Sequence, residues 1–208
     1  MVTARFVAIV DDDEAVRHST AQLIERAGHR VSTFASGDEF LARLPEHLDC
    51  VLLDMQMPGR SGLDVLKILD MSDDPPPVLV VTGHGDIALA VEAMRLGAAD
   101  FLEKPYEPAA LLAGIDYACA LRTQPRGSQA SRREAVARVE SLSGRQRQVL
   151  SGIVNGQPNK VIAYEMGLSI RTVEAYRAQV LTRLGARSTA EAVRIALAAG
   201  LGTNGGRT

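Results

Sequence analysis

The chain has 208 residues, 46% of them hydrophobic and 23% charged, which allows one or two domains with ample apolar material for a core. No apolar run approaches the ~20 residues that a bilayer span requires. Met1 to Val10 has no signal-peptide layout, so a cytoplasmic location is expected. Cys50 and Cys119 lie in apolar surroundings and read as small buried hydrophobes, not a disulfide framework. Four scattered histidines give no zinc-like cluster. The net charge of −2 conceals a division: residues 1–125 carry 20 acids against 10 Lys/Arg, a balance of −10, and residues 126–208 carry 5 against 13, a balance of +8. Such asymmetry predicts two domains, the second with a polyanionic partner.

In chain order, Arg5 to Val10 forms a first buried strand that ends in Asp11-Asp12-Asp13-Glu14. Val16, Leu23, Ile24 and Ala27 have helical spacing over Ala15 to Ala27, and Gly28 stops that helix. Val31 to Phe34 is a second strand. Ser36 and Glu39 form a capping-box signature that opens a helix through Leu44. Cys50 to Leu53 is an apolar run that leads straight into Asp54, and Pro58-Gly59 then turns the chain away. Ser61 to Met71 is helical, Val78 to Val81 a fourth strand and Ile87 to Leu96 a fourth helix. Ala99 to Leu102 gives a fifth strand and Pro108 to Leu121 a fifth helix. Regular alternation of this kind predicts a parallel sheet with helices on both faces.

Four of these strands end on polar residues: Asp11/Asp12, Asp54, Thr82 and Lys104. A parallel sheet brings all such ends to one edge, where open α/β sheets bind ligands. Asp11, Asp12 and Asp54 would repel one another there. A hard cation with oxygen ligands relieves that repulsion, and Mg²⁺ uses few protein carboxylates while keeping part of its water shell. Asp54 is then the candidate nucleophile for an aspartyl phosphate, with Lys104 and Thr82 donating to the phosphoryl oxygens. Taken singly, an Asp after a strand is ordinarily a helix cap, and Asp13 and Asp64 can be read that way. The set of four in this order is what carries the reading.

These motifs resemble the receiver domain of two-component response regulators over residues 5–121. They are Asp11-Asp12, Asp54 followed by Met57-Pro58, Thr82-Gly83, and Lys104-Pro105. The resemblance implies a flavodoxin-like, doubly wound five-stranded sheet of order 2-1-3-4-5. It implies phosphorylation of Asp54 by a sensor histidine kinase. It also implies Mg²⁺ held by Asp12, Asp54 and the Gln56 backbone carbonyl, with Asp11 assisting through water. Gln56 departs from the family's usual residues, but a carbonyl ligand leaves its side chain free. A cis Lys104–Pro105 bond is implied too, although sequence alone favours trans. For switching, the resemblance couples Thr82 to the aromatic Phe101, whose other reading is ordinary core packing. Gly83 to Gly85 would supply a flexible loop in which His84 has no chemistry.

Arg122 to Ser131 is polar, with Pro125 and Gly127, and reads as a boundary. Ala135, Val136 and Val139 return to helical spacing over Arg132 to Glu140, either as a packed linker helix or as a solvated one. Ser143 and Gln146 form a second capping box ahead of Val149, Leu150, Ile153 and Val154. A short helix with Ile162, Ala163 and Met166 follows Pro158 and ends at Gly167. Ser169 caps a longer helix from Ile170 to Leu184, and Ser188 and Glu191 open a last one. Two helices joined by a Gly-containing turn, within an all-α four-helix unit, fit a helix-turn-helix.

On the third of these helices Val173, Tyr176, Val180 and Leu184 form an apolar stripe. Arg171, Thr172, Glu174, Ala175 and Ala178 lie away from it, with Arg177 at the edge. Such a helix can enter a major groove, while Lys160, Arg183 and Arg187 neutralise phosphates; the alternative is a solvated face on an interaction bundle. Leu142 to Leu150, Asn159 to Ala163 and Leu168 to Glu174 resemble the LuxR/FixJ-type helix-turn-helix. Gln146 stands where that family commonly has Glu. With Val81 to Asp86 in the receiver, the chain most resembles the FixJ subgroup of transcriptional activators.

The expected organisation is a receiver over 1–123, a linker over 124–141, a DNA-binding domain over 142–202 and a flexible tail over 203–208. The expected function is regulation of transcription, not enzymatic turnover. Phosphorylation would promote homodimerisation through Ile87 to Glu103, release the output domain onto double-stranded promoter DNA and engage RNA polymerase. A Mg²⁺-dependent phosphohydrolase would need an acid near Asp54 to activate water, and Gln56 cannot serve. The remaining rival is a receiver with a protein- or RNA-binding output.

Overall fold

The computed structural model describes residues 4–72, 74–83, 87–122 and 129–202. The chain divides into two compact units, residues 1–84 with 96–124 and residues 85–95 with 125–208. Helix α4 (Ile87–Arg95) falls among the residues of the second of these units. The loop residues His84 to Asp86, linker residues 124–128 and the tail at 203–208 lie outside the described residues.

In the first unit, β1 (Phe6–Val10), β2 (Arg30–Phe34), β3 (Cys50–Asp54), β4 (Val78–Thr82) and β5 (Asp100–Glu103) form one parallel sheet of order β2-β1-β3-β4-β5. Alternation along each strand divides the side chains between two faces. One face carries Val7, Ile9, Cys50, Leu52, Leu79 and Val81, all buried beneath Ile24 of α1 (Glu14–Arg26) and Leu111, Ile115 and Ala118 of α5 (Pro108–Arg122). The opposite positions Ala8, Val10, Val51, Leu53 and Val80 are buried as well, as are Phe40 of α2 (Gly37–Ala42) and Val65, Leu66 and Leu69 of α3 (Gly62–Asp70). Burial on both faces is why these strands read as continuous apolar runs.

The helix starts are local. Asp13 is a cap: its carboxylate accepts from the Ala15 and Val16 amides at 2.8 and 3.1 Å. Asp64 is not. Ser61 caps α3, and Asp64 instead accepts from the Ser61 hydroxyl at 2.7 Å. At α2 Ser36 accepts from the Glu39 amide, but the Glu39 carboxylate reaches the Ala35 amide, one residue beyond the expected partner. Gly62 is required by close approach: a Cβ there would lie 2.4 Å from the Asp54 carbonyl oxygen and 2.7 Å from the Met55 Cα. The start of α3 is thereby seated directly on the end of β3.

The second unit contains α6 (Gln129–Glu140), α7 (Gly144–Val154), α8 (Asn159–Met166), α9 (Ile170–Leu184) and α10 (Thr189–Ala198). Its core is built from Val149, Leu150, Ile153, Ile162, Val173, Val180, Leu184, Val193 and Ala196. The Ser143–Gln146 capping box forms in both directions. Gly167 and Gly185 both have φ of 64°, the left-handed conformation that ends a helix. Helix α6 is packed, with Ala135 and Val139 buried, and its Arg138 guanidinium donates to the Leu184 carbonyl at the end of α9 at 3.3 Å.

Candidate functional site

Register fixes the first site. Val10 pairs with Leu53, Asp54 with Val81 and Thr82 with Glu103, so Asp11, Asp54, Thr82 and Lys104 meet at the carboxyl edge of the sheet. Carboxylate oxygens of Asp11, Asp12 and Asp54 all lie within 4.8 Å of one another. Asp11 and Asp54 are buried and Asp12 is exposed, so the cluster opens to solvent on one side. Such a set suits a hard divalent cation that retains waters.

Lys104 holds the buried pair together. Its Nζ donates to Asp11 Oδ2 and to Asp54 Oδ2, each at 2.7 Å. The second oxygen of Asp54 accepts from the Gln56 amide at 3.1 Å, and that of Asp11 from the Asp13 amide at 3.0 Å. Burial raises the Asp11 carboxyl above its ordinary range, and the Asp54 charge adds to this. The hydrogen bond and charge of Lys104 and the Asp13 amide pull the other way. Burial alone would lower the Lys104 amine, but its bonds to the two carboxylates and their charges outweigh it and hold the amine above its ordinary value. The Lys104–Pro105 peptide bond is cis.

Thr82 ends β4 with its side chain 2% exposed, and its hydroxyl has no partner among the described residues. A buried hydroxyl without a protein partner is unusual, and it leaves a donor free for a water or another acceptor. Phe101, on β5 opposite Val80, is half-buried.

The second candidate surface is on α8 and α9. Asn159 and Lys160 open α8, and Ser169 caps α9 by accepting from the Thr172 amide at 3.1 Å. The stripe of Val173, Val180 and Leu184 is buried, with Tyr176 half-buried. Lys160, Arg171, Glu174, Ala175, Ala178, Arg183 and Arg187 are exposed. A helix seated by one stripe therefore presents a mixed charged and small face.

Comparison with known proteins identifies both units. Residues 7–116 match the response regulator receiver domain, and residues 140–196 match the luxR family of bacterial regulatory proteins. The chain is 47% identical over 196 residues to the transcriptional regulatory protein FixJ of Azorhizobium caulinodans, covering 94% of this chain and 93% of that protein. It is 45% identical over 202 residues to FixJ of Bradyrhizobium diazoefficiens, covering 97% and 98%. Among solved structures, full-length FixJ from B. japonicum matches with a TM-score of 0.56 and 44% identity over 96% of this chain and 98% of that one.

The chain belongs to the response regulator family. It joins a receiver to a LuxR-type DNA-binding domain, and its relatives over nearly the full length are FixJ proteins.

Within this response regulator, Asp11, Asp12, Asp54 and Lys104 form one cluster, the Gln56 backbone adjoins it, and Thr82 stands on the neighbouring strand. Three residues of the set expected to face DNA have other engagements, the first being Arg187, whose Nε pairs with Glu191 Oε2 at 3.5 Å. The Arg177 guanidinium donates to Asn159 Oδ1 at 2.7 Å and to Thr189 Oγ1 at 3.4 Å, tying α9 to the starts of α8 and α10. The Thr172 hydroxyl bonds the Ser169 hydroxyl at 2.7 Å.

Three residues near the acidic cluster escaped sequence reasoning. Arg17 donates to the Asp11 carbonyl at 2.7 Å. Thr20 is buried and bonds the Tyr106 hydroxyl at 2.8 Å. The one available signal was polarity on the apolar side of α1, where Thr20 interrupts the run from Val16 to Ile24.

Proposed function

We propose that Asp54 is the phosphoryl acceptor of a two-component pathway and that its phosphorylation controls promoter binding by α9. The observation that carries this reading is Lys104 bridging Asp11 and Asp54 beside the unpartnered Thr82 hydroxyl. An Asp54 oxygen attacks the phosphorus of a phosphohistidine on a sensor kinase. An O–P bond forms, the P–N bond breaks, and the imidazole leaves and takes up a proton. Lys104 and Thr82 then donate to the phosphoryl oxygens, which bring roughly −1.5 to −2 of charge. Asp11, Asp12, Asp54 and the Gln56 carbonyl would hold Mg²⁺, which would neutralise charge on the incoming phosphoryl group. A groove of about 530 Å³ lined by Val16, Thr20, Leu23, Pro105 and Tyr106 adjoins Lys104. It suits an apolar helix of the kinase.

Phosphorylation biases a two-state equilibrium in which Thr82 moves toward the phosphoryl group and Phe101 follows. The segment Ile87 to Glu103 supplies the homodimer surface, and dimers match a two-fold DNA site. Arg171, Glu174, Ala175 and Ala178 face the bases, while Lys160, Arg183 and Arg187 neutralise phosphates. The domain boundaries are a receiver over 1–123, a linker over 124–141 and an output domain over 142–202. The regulator works in the cytoplasm, as a transcription factor that contacts RNA polymerase, without enzymatic turnover.

The test is DNA binding by the purified protein across genomic fragments, with and without acetyl phosphate and Mg²⁺. Phosphodonor sharpens specific binding, Asp54→Asn abolishes the response, and Arg171→Ala weakens retention. Labelling of Asp54 with no retention of any duplex would overturn the DNA-binding half, and tight binding indifferent to phosphodonor would overturn the coupling.

A further inference from the structure

Two nucleophiles stand outside the acidic cluster and the DNA-facing helix. Cys50 opens β3 and is wholly buried, whereas Cys119 lies near the C-terminal end of α5 and is half-buried. Distant in sequence, they are neighbours in the fold: Cys50 belongs to the hydrophobic cluster on one face of the sheet, and Cys119 packs against that cluster. Independently, Cys119 Sγ donates to the Asp49 carbonyl at 3.3 Å, and the carbon of that carbonyl is bonded to the Cys50 nitrogen. Helix α5 comes close to the sheet because Gly114 and Ala118 face it; a Cβ at Gly114 would already meet the Leu79 side chain at 2.9 Å.

The surroundings distinguish the two sulfurs. The neighbouring Cys50 thiol and the positive charge of Arg5 hold the Cys119 thiol below its ordinary range, against burial and the acids Asp49 and Asp116. Arg5 is fixed there by an ion pair with Asp116 at 2.6 Å. The neighbouring Cys119 thiol, together with complete burial, pushes the Cys50 thiol well above its ordinary range. A half-buried thiol held below its ordinary range beside a wholly buried one held above it is the arrangement of an attacking and a resolving cysteine.

We propose that Cys50 and Cys119 are a reversible redox pair, in which a hydroperoxide oxidises Cys119 and Cys50 then closes an intramolecular disulfide between β3 and α5. The Cys119 sulfur attacks a peroxide oxygen and the O–O bond breaks, leaving a sulfenic acid and, from hydrogen peroxide, one water. The Cys50 sulfur then attacks the Cys119 sulfur. The S–S bond forms, the S–O bond breaks, and the hydroxyl leaves with the Cys50 proton as a second water. Two thiols are oxidised by two electrons and one peroxide is reduced; a small dithiol reverses the step by exchange. An S–S bond of about 2.05 Å is shorter than a thiol contact, so closure draws the end of α5 toward the start of β3. Cys50 and Asp54 stand at opposite ends of β3, so the acidic cluster stays intact in the oxidised protein.

The full chain is treated with hydrogen peroxide, denatured, alkylated and mapped by mass spectrometry. The expected result is a monomer lacking two hydrogens, with neither cysteine alkylated, a linked Cys50–Cys119 peptide, and both thiols restored by dithiothreitol. Acetyl phosphate labels Asp54 equally in both forms. In Cys50→Ser the oxidation stops at Cys119, and in Cys119→Ser Cys50 stays reduced, with circular dichroism checking that each variant folds. Both cysteines alkylated after peroxide would overturn the pairing. So would Cys119 driven to sulfinic acid with Cys50 free, or a disulfide between two chains. The wild-type protein alone decides between these outcomes.

Discussion

Lys104 Nζ lies 2.7 Å from Asp54 Oδ2, and the same nitrogen lies 2.7 Å from Asp11 Oδ2. One cation therefore bridges two buried carboxylates and balances only half of their charge. Lys104→Met would strand both acids next to each other, at a cost of about 1–3 kcal/mol in unfolding free energy at neutral pH. The sign with pH follows from Lys104 being held above its ordinary 10.5. The stability it contributes is fully present below 10.5 and is lost as pH rises through the folded value. Urea denaturation of both proteins from pH 7 to pH 11 checks this: the gap between them narrows only at the alkaline end. A gap constant across that range would mean that packing, not charge, sets it.

The orphaned Thr82 hydroxyl gives a prediction of opposite sign. Valine has nearly the same shape and no polar atom to leave unsatisfied. Thr82→Val therefore stabilises the unphosphorylated protein, by about 1 kcal/mol, while weakening the response to phosphodonor because a donor to the phosphoryl oxygens is gone. Thermal unfolding and phosphodonor-dependent DNA retention, measured on the same preparation, separate the two effects. A variant that is destabilised would show that the hydroxyl is bonded in the resting protein.

Divalent cation binding is predicted to depend on an acid that the fold does not need. Asp12 is exposed while Asp11 and Asp54 are buried. Asp12→Asn should leave the unfolding temperature in chelator unchanged, or slightly raise it by relieving like-charge repulsion. In the wild type, Mg²⁺ at a hundred times its dissociation constant adds about 2.7 kcal/mol, and the variant loses most of that gain at the same concentration. Differential scanning calorimetry across a Mg²⁺ titration reads both.

The sheet and the acidic cluster were legible because each core strand is an apolar run that stops on a polar residue. Val51 to Leu53 ending in Asp54 predicts a buried strand and the acid at its carboxyl end together. Side-chain destinations were less so. Glu39 is spaced for Ser36 yet bonds the Ala35 amide, a choice made by the entry angle of the chain. Arg177 sits at the edge of the presumed DNA face by helical periodicity, but two polar groups from other helices lie within its reach. Tyr106 and Thr20 are far apart in sequence, and only the packing of α1 beside the β5–α5 connection brings their hydroxyls together. Periodicity assigns a residue to a face; which partner waits there is a tertiary fact.

Gly62 tests how tightly the cluster is anchored. Its missing Cβ leaves room for the Asp54 carbonyl at 2.4 Å and the Met55 Cα at 2.7 Å, both of them backbone and unable to yield locally. Gly62→Ala must push α3 away from the end of β3, at a cost of about 3 kcal/mol, and it shifts the backbone that orients the Asp54 and Gln56 groups. Slower labelling of Asp54 by acetyl phosphate should accompany the lower stability. Normal labelling with lowered stability would show that β3 holds the carboxylate without help from α3.

In the output domain, the basic residues divide into two predicted classes. Lys160 and Arg183 are exposed and have no ion-pair partner among the described residues. Replacing either by alanine should weaken binding to all duplexes alike and reduce the slope of log affinity against log salt by about 1 each. Arg177 differs because its guanidinium is engaged with Asn159 and Thr189 inside the domain. Arg177→Ala should leave the salt slope unchanged and lower the stability of the output domain by about 1–2 kcal/mol, since it removes a charged hydrogen-bond donor from two acceptors. Binding isotherms at several salt concentrations, paired with urea denaturation, assign each residue to its class. An Arg177→Ala protein of full stability and reduced salt slope would move that residue onto the phosphate-contacting surface.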